Sequence, residues 1–112
     1  MVRESAESDF PYGAPEYLSP VLAILSDGND HPIEEIRENI LAKFPLTPAQ
    51  LTLRRPSYPI TVFVNKVAYA FARLVFHNAI VRVEVSPESY RITEHGRYVL
   101  SRRPNHARER DL

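Results

Sequence analysis

Seventeen consecutive residues, Thr61 to His77, contain no proline, no glycine and no acid, in a chain that carries ten prolines and fourteen acids. Drawn as a helix, this run places Phe63, Val67, Ala70, Phe71 and Leu74 on one side and Asn65, Tyr69, Ala72 and Phe76 on the other. Pro56 and Pro59 keep regular structure out of the stretch before it, and Asn78 is a left-handed terminator after it. A strand pattern follows at once. Val81, Val83 and Val85 alternate with Arg82 and Glu84, Ser86-Pro87-Glu88-Ser89 has the composition of a type I turn, and Tyr90-Arg91-Ile92 returns as the partner strand. With Val85 opposite Tyr90, Glu84 would face Arg91 across the hairpin as a charge pair.

The elements before and after complete the pattern. Leu18, Val21, Leu22 and Leu25 recur at helical spacing between Glu16 and Ser26, and Asp27-Gly28 stops the run. Pro20 either kinks this helix or stands in its first position. His31 to Ile33 reads as a very short strand. Ile33, Ile36, Ile40, Leu41 and Phe44 mark the buried face of a second helix, which Pro45 ends. Thr47-Pro48-Ala49-Gln50 is a capping box with proline at the first helical position, opening a short third helix. Thr93 caps a last helix that runs to about Ser101. The predicted fold is α+β, mostly helical: a winged helix-turn-helix with helix, short strand, helix, helix, two-stranded wing and C-terminal helix. Its limits are residues 16–101, between a polar N-terminal arm (1–15), with Phe10 and Tyr12 as anchors, and a flexible tail (102–112).

Charge is segregated along the chain. Residues 1–38 hold nine acids against two bases, and residues 39–112 hold twelve bases against five acids, so the zero net charge conceals two halves of opposite sign. Between Glu38 and Glu84 there is no acid at all, yet Lys43, Arg54, Arg55, Lys66, Arg73 and Arg82 lie there. Such a surface attracts polyanions whatever the total charge. Asn65 and Lys66 share the outward side of the long helix with Tyr69 and Arg73. Asn and Lys can reach base edges, and Arg73 can neutralise a phosphate. Arg54 and Arg55, with Ser57 and Tyr58, offer two guanidinium groups, a hydroxyl and an aromatic plane to a phosphate. Val75 and Phe76 fit neither core nor nucleic acid and mark a candidate protein interface.

Other functions find little footing. The chain has no cysteine, so disulfides and thiolate metal sites are excluded. The four histidines lie on different elements without metal-ligand spacing. The three glycines are isolated, which leaves no phosphate loop, and no Asp is followed by Glu-x-Lys. No cofactor or metal is expected. No stretch approaches the length of a membrane span, and a soluble, cytoplasmic protein is the expectation.

Several short motifs occur in a telling order. Tyr17-Leu18 precedes Pro20-Val21-Leu22 and Leu25-x-Asp27-Gly28. His31 comes with Glu35-Ile36 and Ile40, and then Phe44-x-Leu46-Thr47. Pro56-Ser57, Val62-Phe63, Asn65-Lys66-Val67-x-Tyr69-Ala70, Leu74, Ile80 and Tyr90-Arg91-Ile92-Thr93-x-x-Gly96-Arg97 follow. This run, Tyr17 to Leu100, resembles the N-terminal winged-helix domain of the Mrr family of modification-dependent (type IV) restriction endonucleases. The resemblance implies binding of double-stranded DNA, in modified form, by the targeting arm of a restriction system. Three departures stand out. Tyr58-Pro59 replaces the family's Gly-Arg, Ser86-Pro87-Glu88-Ser89 replaces an Arg-Gly in the wing, and the resemblance reaches no nuclease domain, so no enzymatic cleavage is expected of this chain.

The reading is therefore a non-catalytic DNA-binding domain using Arg54, Arg55, Ser57, Tyr58, Asn65, Lys66, Tyr69 and Arg73, with a nuclease partner or a homodimer as its setting. Two alternatives share the fold: a protein-interaction or dimerisation module built on Val75, Phe76 and the acids Glu34, Glu35 and Glu38, and a small transcription regulator.

Overall fold

A computed structural model describes residues 10–112. The first nine residues, the larger part of the expected N-terminal arm, lie outside the described residues. The arm's second part is folded. Phe10 is buried, Tyr12 packs against the core, and a 3₁₀ turn occupies Ala14–Tyr17. Tyr12, Tyr17, Phe44 and Phe63 meet edge-on at centroid separations of 5.0–6.1 Å, the geometry that ring quadrupoles favour. Burial of Tyr17 raises the pKa of its hydroxyl, which has no hydrogen-bond partner among the described residues.

Helix α1 spans Leu18–Ile24 and tightens into a 3₁₀ turn at Leu25–Asp27, closed by Gly28 at φ 81°. Pro20 falls in the first turn of α1, where backbone N–H groups have no intrahelical partner to lose, so the helix tolerates it. Strand β1 is the dipeptide His31–Pro32, and helix α2 spans Ile33–Lys43. Helix α3, Pro48–Thr52, begins at the capping box: Thr47 Oγ1 accepts from the Gln50 N–H at 3.1 Å, and Gln50 Oε1 accepts from the Thr47 N–H at 2.9 Å. Helix α4, Val62–Phe76, is capped by Thr61, whose hydroxyl accepts from the Val64 N–H, and it ends before Asn78 at φ 60°. Strands β2 (Ile80–Val85) and β3 (Glu88–Ile92) form the wing, and helix α5 (Glu94–Arg102) follows the Thr93 cap.

The sheet is antiparallel, in the order β1-β3-β2. The core lies between α1, α2, α4 and the sheet. It buries Val62, Phe63, Val67, Ala70, Phe71 and Leu74 from α4, Ile36 and Ile40 from α2, and Ile80, Tyr90, Ile92 and Val99. Each such aliphatic side chain contributes ~1.5–3 kcal/mol by leaving water. Five α-helices around a small antiparallel sheet, with β2 and β3 as a wing after the longest helix, form a winged-helix arrangement of the expected α+β class.

Two expectations fail. The wing's turn and register differ: the turn is Ser86-Pro87 alone, with Glu88 and Ser89 already in β3, Arg91 lies opposite Val81, and Glu84 lies opposite Ser89, with a bulge at Val83. Ile80 rather than Val81 takes the inward position at the start of β2, and Val81 and Val85 are exposed rather than buried. Arg91 instead reaches Asp30, its Nε 2.6 Å from the carboxylate. The second correction concerns residues 102–112, which fold back on the domain instead of trailing as a flexible tail. Ala107 is buried, its N–H donates to Ser19 Oγ at 2.6 Å, and a 3₁₀ turn forms at Glu109–Asp111.

Candidate nucleic-acid interface

The segment between α3 and α4 is a loop with a closed base. The Val62 N–H donates to the Leu53 carbonyl at 2.8 Å, and Arg54 and Thr61 form an isolated antiparallel bridge. Above that base the chain turns at Ser57, which holds φ 63°, and the Tyr58 N–H donates to the Arg55 carbonyl at 3.1 Å. Pro56 and Pro59 have no N–H to satisfy, which suits an exposed loop. Arg54, Ser57 and Tyr58 are exposed at its tip and flank.

One bond ties this loop to the long helix. Arg55 Nη1 donates to Asn65 Oδ1 at 2.6 Å, while the Arg55 guanidinium carbon stands 5.3 Å from the centre of the Tyr58 ring. The cation is thus held by the amide oxygen of Asn65 and set against the aromatic ring of Tyr58. Asn65 is half-buried in the first turn of α4, because Thr61 caps the helix and sets its entry one turn earlier. Arg55 and Asn65 are therefore brought together, with Tyr58 beside them.

Farther along α4 the predicted residues part company. Tyr69 is exposed, as are the neighbouring Ala68 and Ala72. Lys66 is half-buried, its Nζ 5.9 Å from the centre of the Phe10 ring. Arg73 is engaged from an unexpected quarter. It donates to the carboxylate of Glu109, and His77 Nε2 lies 3.5 Å from the same oxygen. The Arg73 bond holds the Glu109 carboxyl below the ordinary carboxylate range, with His77 adding to the effect. The same bond raises Arg73 further. Arg73 also lies 4.8 Å over the ring of Phe76, which is 72% exposed. The acid-free interval of the sequence acquires an acid in space, and neither His77 nor Glu109 stands out in the sequence. Glu109 is separated from Arg73 by 36 residues and belongs to no periodic pattern.

Among the described residues no group of three or more His, Asp and Glu side chains is arranged to hold a metal ion, and no helix is long and apolar enough to cross a membrane.

Fold and surface together define a winged-helix domain whose longest helix is entered through a basic, aromatic loop. The chain belongs to the Mrr N-terminal domain family, whose model matches residues 15–102. No curated protein and no solved structure matches it. The matched region covers the family's N-terminal domain, and the Tyr90-to-Arg97 motif within it is explained by packing. Thr93 caps α5, Gly96 lies against the Ala79 carbonyl, and Arg97 donates to the Ser26 carbonyl at 3.3 Å.

Proposed function

We propose that this domain binds double-stranded DNA, in modified form, and serves as the non-catalytic targeting module of a restriction system. The observation that carries the reading is the Arg55–Asn65 bond, which fixes a guanidinium fork beside Tyr58 at the entrance to α4. The first turns of a recognition helix are where side chains approach base edges. A guanidinium is the group that suits either a phosphate or the O6/N7 edge of guanine. Arg54 and Lys66 supply further phosphate contacts. Ala68 and Ala72 expose short methyl groups on α4, the side-chain type that meets a C5-methyl on a pyrimidine. Membership of the Mrr N-terminal domain family supports the restriction setting.

The test is binding to matched duplexes with and without modified bases, across a range of salt. Each phosphate contact contributes ~0.9 to the log–log slope, so three to five contacts give a slope of about −3 to −4.5. Arg54→Ala flattens the slope without changing base preference. Binding that ignores salt, or none at low salt, refutes the reading. The exposed Phe76 favours a second one, a docking surface for a nuclease partner or a second copy.

A further inference from the structure

The segment after α5 is anchored at two points of different character. At the first, the Ala107 N–H is buried against Ser19 Oγ at 2.6 Å, which fixes the path of the chain across the start of α1. At the second, the Glu109 carboxylate lies between Arg73 and His77 on the last turns of α4. Helical rise places Arg73 about 10.5 Å along the axis from Lys66, seven residues earlier and near the same edge of the helix. Arg73 and His77 thus continue the edge that Lys66 begins, but a carboxylate from the chain's own C-terminal segment occupies the position an external anion would take. The contact is partly open: Arg73 and Glu109 side chains keep 29% and 41% of their surface. Pairs that exposed are weak and screened by salt, so a competing anion can displace this one. Arg108 and Arg110 flank Glu109 and are exposed, which lets the segment lie beside a polyanion without repulsion.

We infer that Arg73 and His77 form a second phosphate site on α4 and that Glu109 is its internal occupant, so that a DNA phosphate and the C-terminal segment compete for it. This rests on the DNA-binding reading. In the unbound protein the site's counter-ion is Glu109, and DNA gains the contact only by releasing that carboxylate. Removing the carboxylate charge makes the site available from the start.

The experiment compares the wild-type chain with Glu109→Gln, Arg73→Ala and the double variant, by fluorescence anisotropy on a short duplex across a salt series. Glu109→Gln should bind more tightly at each salt concentration with nearly the wild-type log–log slope, because the same phosphate is contacted in both complexes and only the cost of releasing the carboxylate is removed. Arg73→Ala should abolish that gain in the double variant. Hydrogen exchange on the wild type gives an independent readout, since amides of residues 104–112 should exchange faster when duplex is added. Unchanged affinity in Glu109→Gln, or unchanged exchange on duplex binding, overturns the competition. Salt-dependent binding that Arg54→Ala weakens would still leave the DNA reading standing. Binding that Arg108→Ala weakens and Glu109→Gln does not strengthen also overturns the competition, because the segment then assists DNA instead of displacing it. Absence of binding by every form at low salt defeats both readings.

Discussion

Arg55 Nη1 and Asn65 Oδ1 are 2.6 Å apart, and this bond joins the basic loop to the helix that would enter a groove. It gives Asn65 a task other than direct contact with a base. An amide that reads adenine uses its oxygen as acceptor and its nitrogen as donor on one base edge. Here the oxygen already serves a guanidinium.

Asn65→Ala is therefore expected to lower stability by ~1 kcal/mol, the usual worth of such a bond at a half-exposed site. It should also weaken binding to all duplexes alike, because Arg55 loses the acceptor that aims it. Thermal melting together with a panel of duplexes checks both effects. An unchanged melting temperature with lost sequence preference would show that Asn65 reads a base itself.

His31 joins three elements through two carboxylates. Its Nε2 is 2.9 Å from Asp27 and its Nδ1 is 3.0 Å from Glu35, so both ring nitrogens donate when the imidazole is protonated. The bond to Asp27 chiefly raises the His31 pKa above the ordinary imidazole value, and the same bond holds Asp27 below the ordinary carboxylate value. A raised imidazole contributes stability that is complete below its unfolded pKa and vanishes as pH rises through the folded one. A lowered carboxylate contributes stability that is present above its unfolded pKa and vanishes as pH falls through the folded one. The bridge is at full strength between about pH 4 and 6.5, the ordinary values of the two groups. His31→Gln should melt below the wild type at pH 6, and the gap should close by pH 9. A gap independent of pH would show that packing, not protonation, sets the contribution of His31.

Phe76 is exposed on the outward side of α4, where it meets Arg73 and His77. Because it lies outside the core, Phe76→Ala should change stability by no more than about 0.5 kcal/mol. If the docking reading holds, the same substitution shifts sedimentation from dimer to monomer or abolishes binding to a nuclease partner. A wild-type chain that remains monomeric at high concentration removes self-association from that reading.

Local chemistry accounts for what the sequence reveals of this fold. Thr47 and Thr93 cap the helices that their positions announce, and Gly28 and Asn78 take the left-handed conformations that end α1 and α4. The core face of α4 follows from spacing alone. What stays hidden depends on partners far apart in the chain or on irregularities without a composition of their own. The tight turn that pairs Val85 with Glu88 sets a register in which Arg91 lies away from Glu84, and Asp30, 61 residues distant, receives it. The C-terminal segment is polar and aperiodic, so nothing local indicates that Ala107 becomes buried against Ser19. Arg54, Arg55, Ser57 and Tyr58 are legible as a basic loop, but the bond from Arg55 to Asn65 depends on how that loop folds over α4.

Gly96 shows how a family motif can be structural. It lies in the first turn of α5 with its N–H donated to Thr93 Oγ1 at 3.0 Å. A Cβ placed there would stand 2.1 Å from the Ala79 carbonyl oxygen and 2.8 Å from Ile92 Cγ1. Alanine would gain about 1 kcal/mol in helix propensity over glycine. The clash is with backbone, though, which cannot rotate away, and such overpacking costs ~3 kcal/mol at the upper end of its usual range. The clash wins, and Gly96→Ala should be destabilised by ~2 kcal/mol or more in urea unfolding. Gly13→Ala is the control, since a Cβ there meets nothing closer than 3.6 Å and stability should hold within about 0.5 kcal/mol. If Gly96→Ala folds as stably as the wild type yet loses DNA binding, then the glycine is there for a ligand rather than for the approach of α5 to the turn between α4 and β2.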